Sequence, residues 1–323
     1  MRLLTFGKRP GGAPLSPAST PDWIQCKSAW IEAALAEAMA KPGGGWMAID
    51  ASRRLKNQPL RYQVAGEQVV VWRGDGGIFA GPDTCPHMGA SLADGCIDGD
   101  GVVCPWHGLR LGKDRHGAWK PYPAVDDGVL LWLRLDHHEQ STTEAPILAD
   151  RPRRFIDGVI RMEATCTPED VLANRLDPWH GVHFHPYAFR RLQVIDSSAD
   201  SITVRVVYRV AGSRGRVTDR RFGIALGVEV DARFSCPDRR TIAMTIVAGE
   251  GQGSVVETHA TPVTKNRTAI VEATLATSDR LGFRALSRTS GLVRPFIERA
   301  ARRLWRDDAA YAERRFSLRQ QRS

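Results

Sequence analysis

The chain has 323 residues, of which 42% are hydrophobic and 25% charged, and this excludes a disordered or fibrous protein. Such a length makes about two domains, each with its own core, and no run approaches the ~18 apolar residues of a membrane span. The net charge is +9, yet residues 280–323 hold twelve Arg, no Lys and four acids, so +8 of it lies in that segment; without aromatic interleaving or a nucleic-acid motif, this reads as a solvated helix face or a dock for an acidic ferredoxin, not as a nucleic-acid surface.

The start, residues 1–19, is rich in Gly, Pro and Ser and has no apolar core long enough for a signal peptide. Thr20 is placed as an N-cap before Pro21, and Trp23, Lys27, Trp30, Ile31, Ala34, Leu35 and Ala38 follow one face of an amphipathic helix of about five turns. Its polar face carries Glu32 and Glu37, which favours packing on the body or on a neighbouring subunit over a membrane interface. Pro42 and Gly43 to Gly45 end this extension, residues 1–45.

Residues 46–136 show short strands and turns: Val69 to Trp72 and Val129 to Leu133 are buried-strand runs, and Gly76-Gly77 and Asp98-Gly99 mark hairpins. Within them lie Cys85-Pro86-His87 and, after sixteen residues, Cys104-Pro105-Trp106-His107, with Gly89 and Gly108 supplying turn chemistry. Two thiolates and two imidazoles are also a zinc set. Here, however, each loop gives one Cys and then one His, so the ligands sort by type onto two metals: Cys85 and Cys104 on one iron, His87 and His107 on the other. The remaining Cys26, Cys96, Cys166 and Cys236 are scattered, which points to a reducing cytoplasm.

Residues 137–152 form a polar linker in which His137 and His138 are expected to be solvated, and residues 153–323 form the second domain. It opens with Thr167-Pro168-Glu169-Asp170, a capping box. The helix that follows carries Asn174, Asp177 and His180 in one sector, before Pro178 and Gly181 disturb the backbone on the way to His183 and His185. Alternating patterns over Ile202–Val210, Phe222–Phe234, Thr241–Val247, Val255–Thr261 and Thr268–Thr277 predict at least five antiparallel strands. A last helix runs from about Leu292 to beyond Tyr311 with Ile297, Ala301, Leu304, Asp308 and Tyr311 on its inward stripe. Asp308 is therefore a buried carboxylate needing a metal or an Arg partner, whereas Asp307 faces out at ion-pair spacing from Arg303. The fold class is α+β: a small all-β domain, then an antiparallel sheet wrapped around a long C-terminal helix in helix-grip fashion.

Two His and a carboxylate with open positions form the facial triad of non-haem Fe(II), and His180, His185 and Asp308 fit it, with His183 as the competing imidazole. The flanks CPHMGASL and CPWHGLRLG, the Asn174-x-x-Asp177-x-x-His180-x-x-x-x-His185 run and an Asp in a C-terminal helix together resemble the Rieske non-haem iron oxygenases from Trp46 onward. The chain's length, and the absence of a second subunit's sequence, resemble the homotrimeric branch of vanillate and dicamba O-demethylases, ketosteroid hydroxylases and pheophorbide oxygenases. The resemblance extends to Thr261-Pro262-Val263 with Arg267-Thr268; Pro178 after Asp177 and the pair Arg314-Arg315 depart from it.

This resemblance implies one [2Fe-2S] Rieske cluster and one mononuclear Fe(II). Ala90 and Trp106 stand where respiratory-type relatives carry an additional, disulfide-linked Cys pair, which implies a potential toward the low end of the range of about −150 to +300 mV. It also implies that the cluster of one subunit passes an electron to the iron of the next, with Asp177 as the bridge between a triad histidine such as His180 and His87 or His107. Asn174 would lie beside the iron. The implied activity is that of a terminal monooxygenase using O2 to hydroxylate or demethylate a small molecule, fed by a separate flavin reductase, in some cases through a ferredoxin. Ile224, Leu226, Phe234, Met244 and Ile246 suggest a bulky apolar substrate. The alternative is a Rieske electron-transfer protein without oxygenase activity.

Overall fold

The computed structural model describes residues 26–138, 141–185, 187–199, 201–209, 227–280 and 282–322. The expected helix start at Thr20 and Pro21, the Phe222 end of the second predicted strand, and Ile224 and Leu226 lie outside the described residues. What is described of the first helix, α1 (Ser28–Ala40), buries Ile31, Ala34, Leu35 and Ala38. These side chains join the core of the second domain, so the helix packs on the body of the same chain.

The first domain contains β1 (Trp46–Ala51), β2 (Leu60–Val64), β3 (Glu67–Gly74), β4 (Gly77–Pro82), β5 (Cys96–Asp98), β6 (Gly101–Val103), β7 (Arg110–Leu111), β8 (Ala124–Asp126) and β9 (Leu130–Arg134). They form three small antiparallel sheets ordered β1-β9-β8, β2-β3-β4 and β5-β6-β7. The apolar runs read from the sequence fall in β3 and β9, whose Val69 to Trp72 and Leu130 to Leu133 are buried on both faces.

The second domain opens with β10 (Ile156–Ala164), followed by α2 (Pro168–Leu176) and the short α3 (His180–Phe184). Then come β11 (Phe189–Ser197), β12 (Ser201–Arg209), β13 (Gly227–Asp238), β14 (Thr241–Gly249), β15 (Val255–Thr264) and β16 (Arg267–Ala276). α4 (Phe283–Arg288) and the 31-residue α5 (Ser290–Gln320) close the chain. The seven strands form one antiparallel sheet, β10-β16-β15-β14-β13-β12-β11. Two of them, β10 and β11, exceed the sequence expectation. Both are edge strands, and the exposed faces of β11 carry polar residues such as Gln193 and Asp196, which dilute the strand signal.

α5 lies against β10 and α2, and Trp305, Ala312 and Asp308 are fully buried beneath it. The approach to β10 is so close that a Cβ on Gly158 would meet Ile297 Cγ2 at 2.5 Å. α2 begins as the capping box predicts: Thr167 donates to Asp170 Oδ2 from its backbone N–H at 3.1 Å and from its hydroxyl at 2.8 Å. Arg315 donates to Asp170 Oδ1 at 2.7 Å and Arg319 to Oδ2 at 2.8 Å, so the same carboxylate ties α2 to α5.

The segment between the domains is largely exposed, His137 and His138 included, yet it is tied down at two points. A 3-10 turn over Asp136–His138 places both imidazoles against Glu67, with His138 Nε2 at 3.0 Å from its carboxylate and His137 in contact with the same oxygen. Farther on, Arg151 reaches inward as a bidentate partner of Glu257, 2.7 Å on each oxygen, and also donates to Asp127 at 2.9 Å. It thereby clamps the first domain to the sheet of the second.

Candidate active site

Two constellations emerge, one at the tip of the first domain and one inside the second. At the tip, Cys85 and Cys104 are buried while His87 and His107 are exposed, their rings edge-on with centroids 4.7 Å apart. The two loops have the same construction. Gly89 N–H donates to the Cys85 carbonyl at 2.9 Å, and Gly108 N–H to that of Cys104 at 3.1 Å. Gly89 and Gly108 take φ of +81° and +72°, conformations that favour glycine and turn each loop back on itself. Backbone N–H groups of His87 and Met88 point at the Cys85 sulfur, and those of Trp106 and His107 at that of Cys104. Burial raises the Cys85 thiol, whereas at Cys104 these amide dipoles and the Cys85 thiol outweigh burial and lower it. Adjacent sulfurs cradled by amides, with two imidazoles beyond them, fit a [2Fe-2S] cluster.

In the second domain His180 Nε2, His185 Nε2 and an Asp308 oxygen all lie within 4.8 Å of one another. Asp308 Oδ1 is 3.0 Å from His180 Nε2 and 2.7 Å from His185 Nε2. His183, the competing imidazole, is exposed, because the chain leaves α3 at His185 and turns that side chain inward. Burial would raise the Asp308 carboxyl, but hydrogen bonds from His180 and His185 and the charge of Arg175 hold it well below the usual carboxylate range. At His180, burial acts to lower the imidazole, yet Asp308 and Asp177 raise it.

Each ring is oriented from behind. His180 Nδ1 donates to the backbone carbonyl of Asp177, and His185 Nδ1 lies 3.4 Å from Asp307 Oδ2 and 3.3 Å from the Tyr187 hydroxyl. Both Nε2 atoms thus face the Asp308 carboxylate, on the side where a metal would sit. Asp307 accepts from Tyr187 at 2.7 Å, and Arg303 stacks 3.7 Å over the Tyr187 ring. The expected Asp307–Arg303 ion pair gives way to this arrangement, because the β11 approach brings Tyr187 between the two. Asn174 Nδ2 is 3.4 Å from Asp308 Oδ1 and 3.5 Å from His180 Nε2, so it borders these two side chains.

Asp177 differs from expectation in one respect. Its carbonyl, not its carboxylate, contacts His180, while the carboxylate accepts from Tyr311 at 3.2 Å and from the Cys26 thiol at 3.8 Å. Burial, then the Asp177 charge, pushes that thiol up to about 11. The sequence places Tyr311 on the inward stripe of α5 but assigns it no role, and it does not single out Tyr187 or Arg175. Arg175 pairs with Glu272, stacks 4.4 Å over Trp305 and stands 3.7 Å from Asp308 Oδ2. Its position directly after Asn174 in a buried helix was the available signal.

The residues fit a metal. Asn174 Oδ1 is buried with no hydrogen-bond partner among the described residues, and Asp308 Oδ2 has none either, only the Arg175 guanidinium 3.7 Å away; a metal beside them would satisfy both oxygens. A pocket opens on the triad, walled by Phe189, Leu192, Val206, Tyr208, Phe234, Met244 and Leu304. Phe234 and Met244 therefore lie where the sequence placed them, and Ile246 packs on the adjoining core.

A model of the Rieske [2Fe-2S] domain matches residues 45–135, and a domain of unknown function, DUF5914, matches residues 137–323. The chain is 33% identical over 72 residues to the vanillate O-demethylase oxygenase subunit of Pseudomonas sp. (strain HR199 / DSM 7063), covering 22% of this chain and 20% of that protein. It is 35% identical over 101 residues to the oxygenase component of 3-ketosteroid-9-alpha-monooxygenase of Rhodococcus rhodochrous, covering 30% of this chain and 26% of that protein. The matched stretches thus span about a fifth to a quarter of these curated relatives. The fold matches the crystal structure of dicamba monooxygenase bound to dicamba with a TM-score of 0.59 at 17% identity, covering 86% of this chain and 88% of that one. The chain belongs to the DUF5914 family, here joined to a Rieske [2Fe-2S] domain on the fold of the Rieske non-haem iron oxygenases.

Proposed function

We propose that the chain is the terminal oxygenase component of a Rieske monooxygenase, which hydroxylates or oxidatively demethylates a bulky apolar small molecule with O2 and reductase-supplied electrons. The observation that carries this reading is the convergence of His180, His185 and Asp308 in a buried pocket, with Asp308 Oδ2 making no hydrogen bond and only the Arg175 charge 3.7 Å away. An electron-transfer protein has no use for that set.

Cys85 and Cys104 would hold one iron of the cluster and His87 and His107 the other, which leaves the imidazoles at the exposed tip where electrons enter and leave. His180, His185 and Asp308 would hold Fe(II), which when bound supplies open positions for activating O2. The chain's own residues do the rest. The Asp177 carbonyl and the Asp307 carboxylate fix the two imidazole tautomers, and Arg175 and Asn174 hold Asp308 in place. The Phe189, Phe234 and Met244 wall keeps water out and seats an apolar skeleton.

In a homotrimer the exposed cluster of one copy would meet Asp177 of the next, whose carboxylate turns from Tyr311 to bridge the two imidazoles. A separate reductase, directly or through a ferredoxin, would supply the electrons. Metal analysis with EPR on dithionite-reduced, anaerobically purified protein tests the assignment. Three irons per chain and a rhombic Rieske signal are expected, with the third iron lost in Asp308→Ala. Two irons in fully reconstituted wild type, unchanged in the variant, would move the assignment to an electron carrier.

A further inference from the structure

The N-terminal half of α5 presents a surface that the oxygenase reading does not use. Residues 284–306 hold seven Arg, one acid, Glu298, and no Lys. Glu298 is already paired with Arg53, and Arg294 with Asp157. Among the described residues, Arg288, Arg299, Arg302 and Arg306 are exposed and have no acidic partner. Ahead of them, Leu292 and Phe296 are each 74% exposed, more than any other large apolar side chain described.

Helical geometry gathers these residues into one stripe. At about 100° per residue, Leu292, Phe296, Arg299, Arg303 and Arg306 fall within roughly 40° of a common line, with Pro295 and Arg302 at its edge. The line lies opposite the buried face of Ala301, Trp305 and Asp308. The exposed stripe therefore begins with an apolar pair and continues as arginines over about 21 Å from Leu292 to Arg306. Glu298 lies off this line, paired with Arg53, and the half-exposed Asp307 lies just past its end, accepting from Tyr187.

We propose that this stripe is a docking surface for an anionic lipid bilayer. Leu292 and Phe296 would enter the acyl boundary, and the arginines would lie along the headgroup phosphates, which a guanidinium fork binds in bidentate fashion. The charge is complementary to phosphate, and the apolar pair sets this surface apart from a purely ionic dock for an acidic protein. The same helix carries Leu304 of the pocket wall and Asp308, so docking would hold the pocket beside the phase in which apolar molecules dissolve. The inference rests on the surface itself and not on the iron chemistry.

Co-sedimentation of the full-length, cluster-loaded protein with phosphatidylcholine vesicles, with or without half phosphatidylglycerol, tests this. Partition onto the anionic vesicles is expected to exceed that onto neutral ones by at least about tenfold, and to fall about fivefold for each of Arg299→Gln, Arg302→Gln and Arg306→Gln. Leu292→Ser with Phe296→Ser is expected to lower it by about tenfold or more while the visible spectrum of the cluster stays unchanged. Equal partition onto both vesicle types would overturn the proposal. So would binding to poly-L-glutamate as tight as to anionic vesicles, with vesicle binding indifferent to the Leu292 and Phe296 changes, which would mark an acidic-protein dock. Loss of a wild-type oligomer in the Leu292 and Phe296 variant without loss of vesicle binding would assign the pair to an interface between copies instead.

Discussion

At the scale of single residues, Asp308 is decided by burial and Asp307 by its neighbour. They are adjacent on α5, yet one is fully buried between two imidazoles and the other stays half-exposed beneath Tyr187. Periodicity alone separates them, since about 100° of rotation puts one on the inward stripe. Tyr187 then does something no periodicity could show: it steers Asp307 toward the back of His185. Tyr187→Phe is expected to weaken iron binding at the triad by about tenfold, as loss of an outer hydrogen bond does in metal sites. A chelator-competition titration reads this out, and an affinity equal to wild type would show that Asp307 needs no such support.

At the scale of elements, α2 is held at its start by chemistry that is local in sequence and by chemistry that is not. The Thr167 cap is local, and Thr167→Ala is expected to lower stability by about 1 kcal/mol in urea unfolding. Asp170 also receives Arg315 and Arg319 from α5, some 145 residues away. Asp170→Ala therefore removes the shared partner of two cations, and a larger loss is expected, held to about 3 kcal/mol because those cations are partly screened by solvent. Equal losses in the two variants would mean that the α5 contacts contribute nothing. Arg315, a departure from the family pattern, is thus accounted for as a structural tie.

At the scale of the whole molecule, the clamp between the domains gives stability a pH dependence. Burial would raise Glu257, but hydrogen bonds from His259 and Arg151 outweigh it and lower the carboxyl from 4.5 to about 2. A depressed carboxyl contributes stability that is present above its unfolded value near 4.5 and is lost as pH falls toward 2. For a fully buried group a shift of this size is on the order of 3 kcal/mol. The stability gap between wild type and Glu257→Gln is accordingly expected to narrow below pH ~4.5, following the unfolded-state value. Acid loss of the cluster acts on both proteins alike, so the gap is the readout in urea unfolding followed by tryptophan fluorescence. A gap constant from pH 7 to pH 3 would assign the effect of the substitution to packing.

Local pattern was enough for much of this protein. The Cys-His spacing marked the cluster loops, the capping box marked α2, and one helical stripe chose Asp308, because each depends on residues close in the chain. The expected α+β order of domains follows from the same periodicities. Tertiary structure alone decided the rest. It turned the Asp177 carboxylate to Tyr311 and left its carbonyl on His180, and it buried the His185 ring while leaving His183 exposed. It also drew His137 and His138 onto Glu67, and Arg151 onto Glu257. The physical reason is the same in each case: a polar side chain takes the partner that folding brings within hydrogen-bond reach, and no spacing in a single sequence records which distant strand or helix that will be.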